Sequence, residues 1–214
     1  MSLPKLYYFD AYGRAEAIRI LLHEAKVEFE DVRLDGAAFG KLAAEGFATN
    51  GVPIYVSAEG NKYNQSAAIL RYLGSLHGLY SSVPFERYWD DWTIETIKDA
   101  FTDKFLGLLF VPSLAEEQIK DAVEAFTWFA DQIEGRLTSN EGKHFIGGDK
   151  LSIGDILILS TLHSIAFNDG LTVPALGEAL KHVVASKPHF AQYHERLAAH
   201  FADYFAARPH PRPF

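Results

Sequence analysis

The chain contains no cysteine, so it has no thiolate nucleophile of its own, no disulfide framework and no cysteine-based zinc or iron–sulfur site. Any sulfur chemistry must come from a ligand. Its nine histidines are scattered, and the closest set, His189, His194 and His200, has gaps of five and six residues that do not bring ligands to one helical face. No metal site is expected. A GxGxxG fingerprint, a Walker-type phosphate loop, HExxH and GxSxG are all missing. What remains lies in the first third: Tyr8 at the end of an aromatic run with Arg14 six residues on, the pair Val52-Pro53, and Gln65-Ser66 ahead of an apolar stretch. These positions converge if the segments around them fold into one layer. Strand ends and helix N-termini bind ligands because they expose unpaired backbone N–H groups.

The elements that must position them follow from periodicity. Leu6 to Phe9 is short, aromatic and bounded by Pro4 and Asp10, which predicts a strand, with Ala11-Tyr12-Gly13 as a turn. Ala17, Ile18, Leu21, Leu22 and Ala25 share a helical face, and Phe29, Val32 and Leu34 alternate in a second strand. A weakly patterned Gly- and Ala-rich stretch from Asp35 ends at the turn Asn50-Gly51, before a third strand over Val52 to Val56. A proline within that strand belongs at an edge, at a bulge or in a cis peptide. Asn61 to Asn64 makes a fourth short strand, and Ser66 reads as the N-cap of the helix that follows. The order is β-α-β-α-β-β-α, a thioredoxin-like layer over residues 1–78. After the linker from Gly78 to Pro84 every pattern is helical, which predicts an all-α domain over residues 84–214. Ser113 to Glu116 and Ser152 to Asp155 read as capping boxes, with Leu151 and Ile156 as a staple on the second. Ile156 to Ile165 is apolar on nearly every face and predicts a central buried helix, while Pro174 and Pro188 suit the first turns of later helices. The tail from Arg208 to Phe214 reads as an extended segment over the surface.

Composition narrows the function. At 214 residues, with 48% hydrophobic and 14% aromatic residues, the chain can build a real core. A net charge of −8 gives no general attraction to nucleic acid or anionic membranes. The start lacks a secretory pattern and no apolar stretch is long enough to span a bilayer, so a soluble cytoplasmic protein is expected.

Lys5-Leu6-Tyr7-Tyr8-Phe9, Gly13-Arg14-Ala15-Glu16, Val52-Pro53 and Asn64-Gln65-Ser66-Ala67-Ala68-Ile69-Leu70-Arg71-Tyr72-Leu73 occur in an order and spacing that resembles the cytosolic glutathione S-transferases. The sigma class, which includes the haematopoietic prostaglandin D synthases, is the nearest pattern, and Ser152 to Asp155 matches the family's capping box in the helical half. The resemblance implies a homodimeric detoxification enzyme with a thioredoxin-like α/β domain followed by a helical domain that supplies the electrophile pocket. Glutathione is the implied co-substrate. It also implies that Tyr8 donates a hydrogen bond to the glutathione sulfur while Tyr7 fills core, and that Arg14 orients Tyr8 or the hydrogen bonds around it. Val52, before a cis Pro53, would pair with the cysteinyl unit like an added strand, and Gln65 with Ser66 would hold the γ-glutamyl carboxylate. Asp103, on a stripe with Glu95 and Asp99, would reach the γ-glutamyl ammonium bound by the neighbouring subunit. Phe39 stands where the class has tryptophan, and Lys41 is the cation nearest to the class's lysine, which falls near Ala43, so the glycyl end is held differently. Tyr12, Phe105 and Leu106 are candidates for the electrophile pocket. Some members bind a divalent cation through paired aspartates, but Thr102 takes one of those positions and no metal is expected. Lowering a thiol pKa from ~8.5 by roughly two units requires about 2.7 kcal/mol, the scale of one charge-assisted hydrogen bond in a dry site. Three alternatives stay open: a glutathione-dependent isomerase or peroxidase, a crystallin-like structural protein, and a carrier of apolar ligands.

Overall fold

The computed structural model describes residues 2–101, 108, 111, 113–140, 144–209 and 212. The first half alternates as expected: β1 (Lys5–Phe9), α1 (Gly13–Glu24), β2 (Glu30–Leu34), α2 (Gly36–Ala44), β3 (Ile54–Val56), β4 (Lys62–Asn64) and α3 (Ser66–His77). The sheet order is β2-β1-β3-β4, with β1 parallel to β2 and antiparallel to β3, and β3 antiparallel to β4. This is the thioredoxin-like layer. The weakly patterned stretch after Asp35 forms α2, started by the Asp35 carboxylate, which accepts the Ala38 N–H at 2.7 Å.

The second half is helical: α4 (Pro84–Phe101), α5 (Glu116–Thr138), α6 (Ile153–Ile165), α7 (Pro174–Ala185), α8 (Pro188–His200) and α9 (Ala202–Ala207). Helix α6 is the hub and packs against α1, α3, α4 and α8. Ile153, Ile156, Ile158, Leu159 and Leu162 are fully buried on it, and the same apolar cluster continues through Ile18, Leu21 and Leu22 of α1 to Leu6 of β1. The side chain of Asp155 anchors its first turn: one carboxylate oxygen accepts the Ser152 N–H and hydroxyl at 2.8 and 2.9 Å, the other the Ile146 N–H at 2.7 Å and the Tyr193 hydroxyl at 2.6 Å. Pro174 and Pro188 open α7 and α8. Among the described residues no helix is long and apolar enough to cross a membrane.

Four expectations are corrected. Pro53 lies just before β3 rather than within it, after a cis Val52–Pro53 bond. Ser66 is the first helical residue of α3, and Gln65, at φ +68°, takes the N-cap position. The start of α5 lies at Glu116, where the Gln118 side chain accepts the Ala115 N–H at 2.9 Å, so Ser113 caps nothing. Arg208 is buried against α1 rather than laid over the surface, because Glu16 gives it a buried partner at 2.9 Å.

Candidate functional site

The sheet register assembles the site. Tyr7 of β1 faces Ile54 of β3, which faces Asn64 of β4, so one row crosses three strands. The paired register ends there, and Tyr8, Pro53 and Gln65 are the next residue of β1, the residue before β3 and the residue after β4, so positions 45 and 57 residues apart from the first in sequence lie at the same end of the sheet. Beside this row, α3 begins with no acid in its first turn, so its exposed N–H groups keep their positive end. Gln65 holds a φ of +68°, a conformation that costs a non-glycine residue on the order of 1–3 kcal/mol and clusters at ligand clamps. Val52 carries no backbone hydrogen bond among the described residues, which leaves its N–H and C=O open to an added extended segment.

Tyr8 is 9% exposed at the end of β1, and its hydroxyl oxygen accepts the backbone N–H of Arg14 at 3.1 Å. Among the described residues its own proton has no acceptor, which leaves it to be donated. Burial raises the phenol above its ordinary pKa, opposed by the Arg14 N–H and by the charges of Arg14 and Arg19. The hydroxyl therefore stays protonated at neutral pH. Gly13 makes the approach possible: it sits at φ +44°, and a Cβ there would lie 2.5 Å from the Tyr8 hydroxyl and 3.0 Å from its ring. The Arg14 side chain itself is exposed. Tyr7, pointing the other way, meets Phe47 edge-on at 5.0 Å.

The other expected residues divide. Phe39 packs on Phe9 with ring centroids 5.3 Å apart, near the end of β1. Lys41 is on α2 with its side chain 77% exposed and 4.0 Å from Glu45. Tyr12 is 1% exposed; its hydroxyl donates to the Pro209 carbonyl at 2.8 Å and its ring carries the Arg208 guanidinium at 3.9 Å. The structure thus spends Tyr12 on the C-terminal segment. Glu95 and Asp99 lie exposed on α4, whereas Asp103, Phe105 and Leu106 fall outside the described residues. No group of three or more His, Asp or Glu placed to hold a metal occurs among the described residues.

Residues 4–75 match the family model described as "Glutathione S-transferase, N-terminal domain". The chain is 32% identical to human "Glutathione S-transferase A1" over 197 residues, covering 86% of this chain and 85% of the relative. It is also 32% identical to "Glutathione S-transferase 3" of Caenorhabditis elegans over 75% of this chain and 79% of the relative. The chain belongs to the glutathione S-transferase family. Among solved structures, the glutathione S-transferase from Ascaris lumbricoides superposes with a TM-score of 0.80 at 25% identity, over 97% of this chain and 98% of that one. Glutathione transferases are enzymes that use glutathione as co-substrate, which answers the missing cysteine: the reactive sulfur arrives with the tripeptide.

Two features of this glutathione transferase escape motif reading. Gly13 is part of the family pattern, but that its missing Cβ is what admits the Tyr8 hydroxyl emerges only from the distance between them. Glu16 and Arg19 are charged residues inside the buried stretch Ala15–Leu22 of α1, and each is almost fully enclosed. Two charges one turn apart in an apolar run are the visible hint that something buried pairs them.

Proposed function

We propose that this glutathione transferase binds glutathione at the end of the sheet where Tyr8, Pro53 and Gln65 lie, and ionises its thiol through a hydrogen bond from Tyr8. The thiolate then adds to a hydrophobic electrophile. The observation that carries the reading is the buried Tyr8 hydroxyl, which accepts from Arg14 and keeps its own proton unspent. Val52 pairs with the cysteinyl unit, and Gln65 with Ser66 takes the γ-glutamyl carboxylate at the positive end of α3. Phe39 and Lys41 lie on the side of the glycyl end, and Arg14 supports Tyr8 from the start of α1. Asp103 is assigned to the γ-glutamyl ammonium of the neighbouring subunit, and Phe105 and Leu106 to the electrophile pocket. Tyr12 joins them in the proposed pocket through its ring, its hydroxyl being bound to the Pro209 carbonyl.

The pattern of the site is sigma-like, with residues 1–78 as the glutathione-binding domain, residues 84–214 as the helical domain, and detoxification in the cytoplasm as the role. The proposed assembly is a homodimer. Leu76, Val83, Phe85 and Tyr88 support it: these large apolar side chains are 49–61% exposed around the end of α3 and the start of α4. The test mixes the purified protein with glutathione and 1-chloro-2,4-dinitrobenzene. Turnover is expected, with Tyr8→Phe reducing kcat/KM by roughly 10²-fold, the typical cost of one preorganised donor. Unchanged turnover in Tyr8→Phe refutes the role of Tyr8, and absent turnover with no retention on a glutathione column favours a non-catalytic member.

A further inference from the structure

Helix α1 is buried at every position from Ala15 to Leu22, and Arg19 in the middle of it is 3% exposed. Burying a guanidinium is costly unless its charge is matched and most of its donors find acceptors. Arg19 Nε donates to both oxygens of Asp31 at 3.2 and 3.1 Å, and Nη1 donates to Glu16 at 3.1 Å and to the carbonyls of Ala11 and Tyr12, each at 3.1 Å. Those two carbonyls belong to the loop between β1 and α1. Two residues after them comes the Arg14 N–H that reaches the Tyr8 hydroxyl oxygen. The Arg19 guanidinium carbon also lies 5.7 Å from the centre of the Tyr8 ring, within range of a cation–π attraction, and Nη2 is buried with no acceptor among the described residues.

We propose that Arg19 is a positioning residue for the Tyr8 hydroxyl: it pins the loop that presents the Arg14 N–H, and it places a fixed positive charge beside the Tyr8 ring. The inference rests on the reading that Tyr8 donates to the glutathione sulfur. As the phenol donates toward a thiolate, negative charge is shared onto its oxygen, and a cation near the ring and an N–H on the oxygen both favour that state. The surrounding charged and titratable groups are Asp31 and Arg33 of β2, Glu16 and His23 of α1, Tyr204 of α9, and Arg208. Their arrangement leaves each carboxylate a cationic partner when Arg19 is replaced, while Glu16 Oε2 and Asp31 Oδ1 lose the donor that Arg19 supplies. Glu16 keeps Arg208 at 2.9 Å and the Tyr204 hydroxyl at 3.0 Å, and Asp31 keeps Arg33 at 2.6 Å.

The test compares the wild type with Arg19→Met and Arg19→Lys. The thiol of bound glutathione is titrated by ultraviolet difference spectroscopy, and kcat/KM with 1-chloro-2,4-dinitrobenzene is followed across pH. In Arg19→Met the apparent thiol pKa should rise by about one unit, with kcat/KM down roughly tenfold below neutrality and recovering toward alkaline pH. Arg19→Lys, which restores the charge but not the forked donors, should move the profile in the same direction by about half as much. Superposable pH profiles overturn the proposal, whatever happens to the thermal midpoint, and so does an equal displacement in both variants. Should Arg19→Met fail to fold, an unmoved profile in Arg19→Lys overturns it. A wild-type thiol that titrates as free glutathione overturns the glutathione reading itself and the Arg19 role with it. A depressed wild-type value with no change in the variants removes only Arg19.

Discussion

Gly13→Ala tests the tightest contact in the site. A Cβ at residue 13 would meet the Tyr8 hydroxyl at 2.5 Å, Cε1 at 3.0 Å and Cζ at 3.1 Å. Ordinary contact begins near ~3.4 Å, so about 1 Å of movement is needed. The whole ring edge is engaged, and the Arg19 guanidinium is 5.7 Å from the ring centre, so Tyr8 cannot escape by turning its terminal atom alone. Overpacking of this kind costs about 1–3 kcal/mol, and an alanine at φ +44° adds about 1 kcal/mol, for roughly 2–4 kcal/mol in all. For a chain of this size that lowers the melting temperature by about 5–15 °C. Displacing the hydroxyl by about 1 Å should cost roughly 10²-fold in kcat/KM, because donor geometry sets the stabilisation of the thiolate. Thermal unfolding and turnover with glutathione and 1-chloro-2,4-dinitrobenzene measure both, with Gly135→Ala as control. A Cβ at Gly135, inside α5, meets nothing within 4 Å, so that variant should gain about 0.5–1 kcal/mol of helix propensity and keep its activity. If Gly13→Ala melts within about 1 kcal/mol of the wild type and keeps kcat/KM within about threefold, the packing account is wrong.

Two further variants probe the helical half. Asp155→Ala strips the acceptor from four donors at the start of α6 and should cost about 3–5 kcal/mol in urea unfolding; a loss under about 1 kcal/mol would show that water replaces the carboxylate. His163 and His194 meet Nε2 to Nε2 at 3.1 Å, stacked on Phe205 and Phe167, and burial lowers them from the ordinary 6.5 to about 3 and about 4. Both are neutral in the folded protein, so their contribution is fully present above the unfolded value and is lost as pH falls from about 6.5 toward 4 and 3. Asp90, raised by burial to about 7, acts in the opposite sense: its contribution is lost as pH rises through that value. His194→Leu should therefore flatten the acid fall of stability by up to about 1.4 kcal/mol per pH unit near pH ~5, measured by urea unfolding. An unchanged slope would mean that the pair is protonated in the folded state.

Much of the architecture was legible because it rests on local rules. The two-residue period around Leu6 to Phe9, the helical face of Ile18, Leu21 and Leu22, and the Ser152 to Asp155 cap each act within a few residues, and each forms where the periodicity placed it. Boundaries were less secure where alternatives were nearly degenerate. Ser66 and Ser113 are good caps by type, yet α3 starts at Ser66 itself and α5 starts three residues after Ser113. The bond of Tyr12 is illegible for a different reason: its partner is the Pro209 carbonyl, 197 residues away, and no local pattern announces such a bond.

Residue types alone require that any reactive sulfur be supplied from outside, predict that strands and helices alternate before helices take over, and single out Tyr8, Val52-Pro53 and Gln65-Ser66. Those follow from residue types and short-range geometry. Packing settled that Tyr8 and Gln65 lie at the same end of the sheet, that Gly13 makes room for the Tyr8 hydroxyl, and that Arg19 is held by Asp31, Glu16 and two loop carbonyls. Strand register, close approach and the pairing of buried charge depend on segments distant in the chain, and their energies exist only once those segments are packed together.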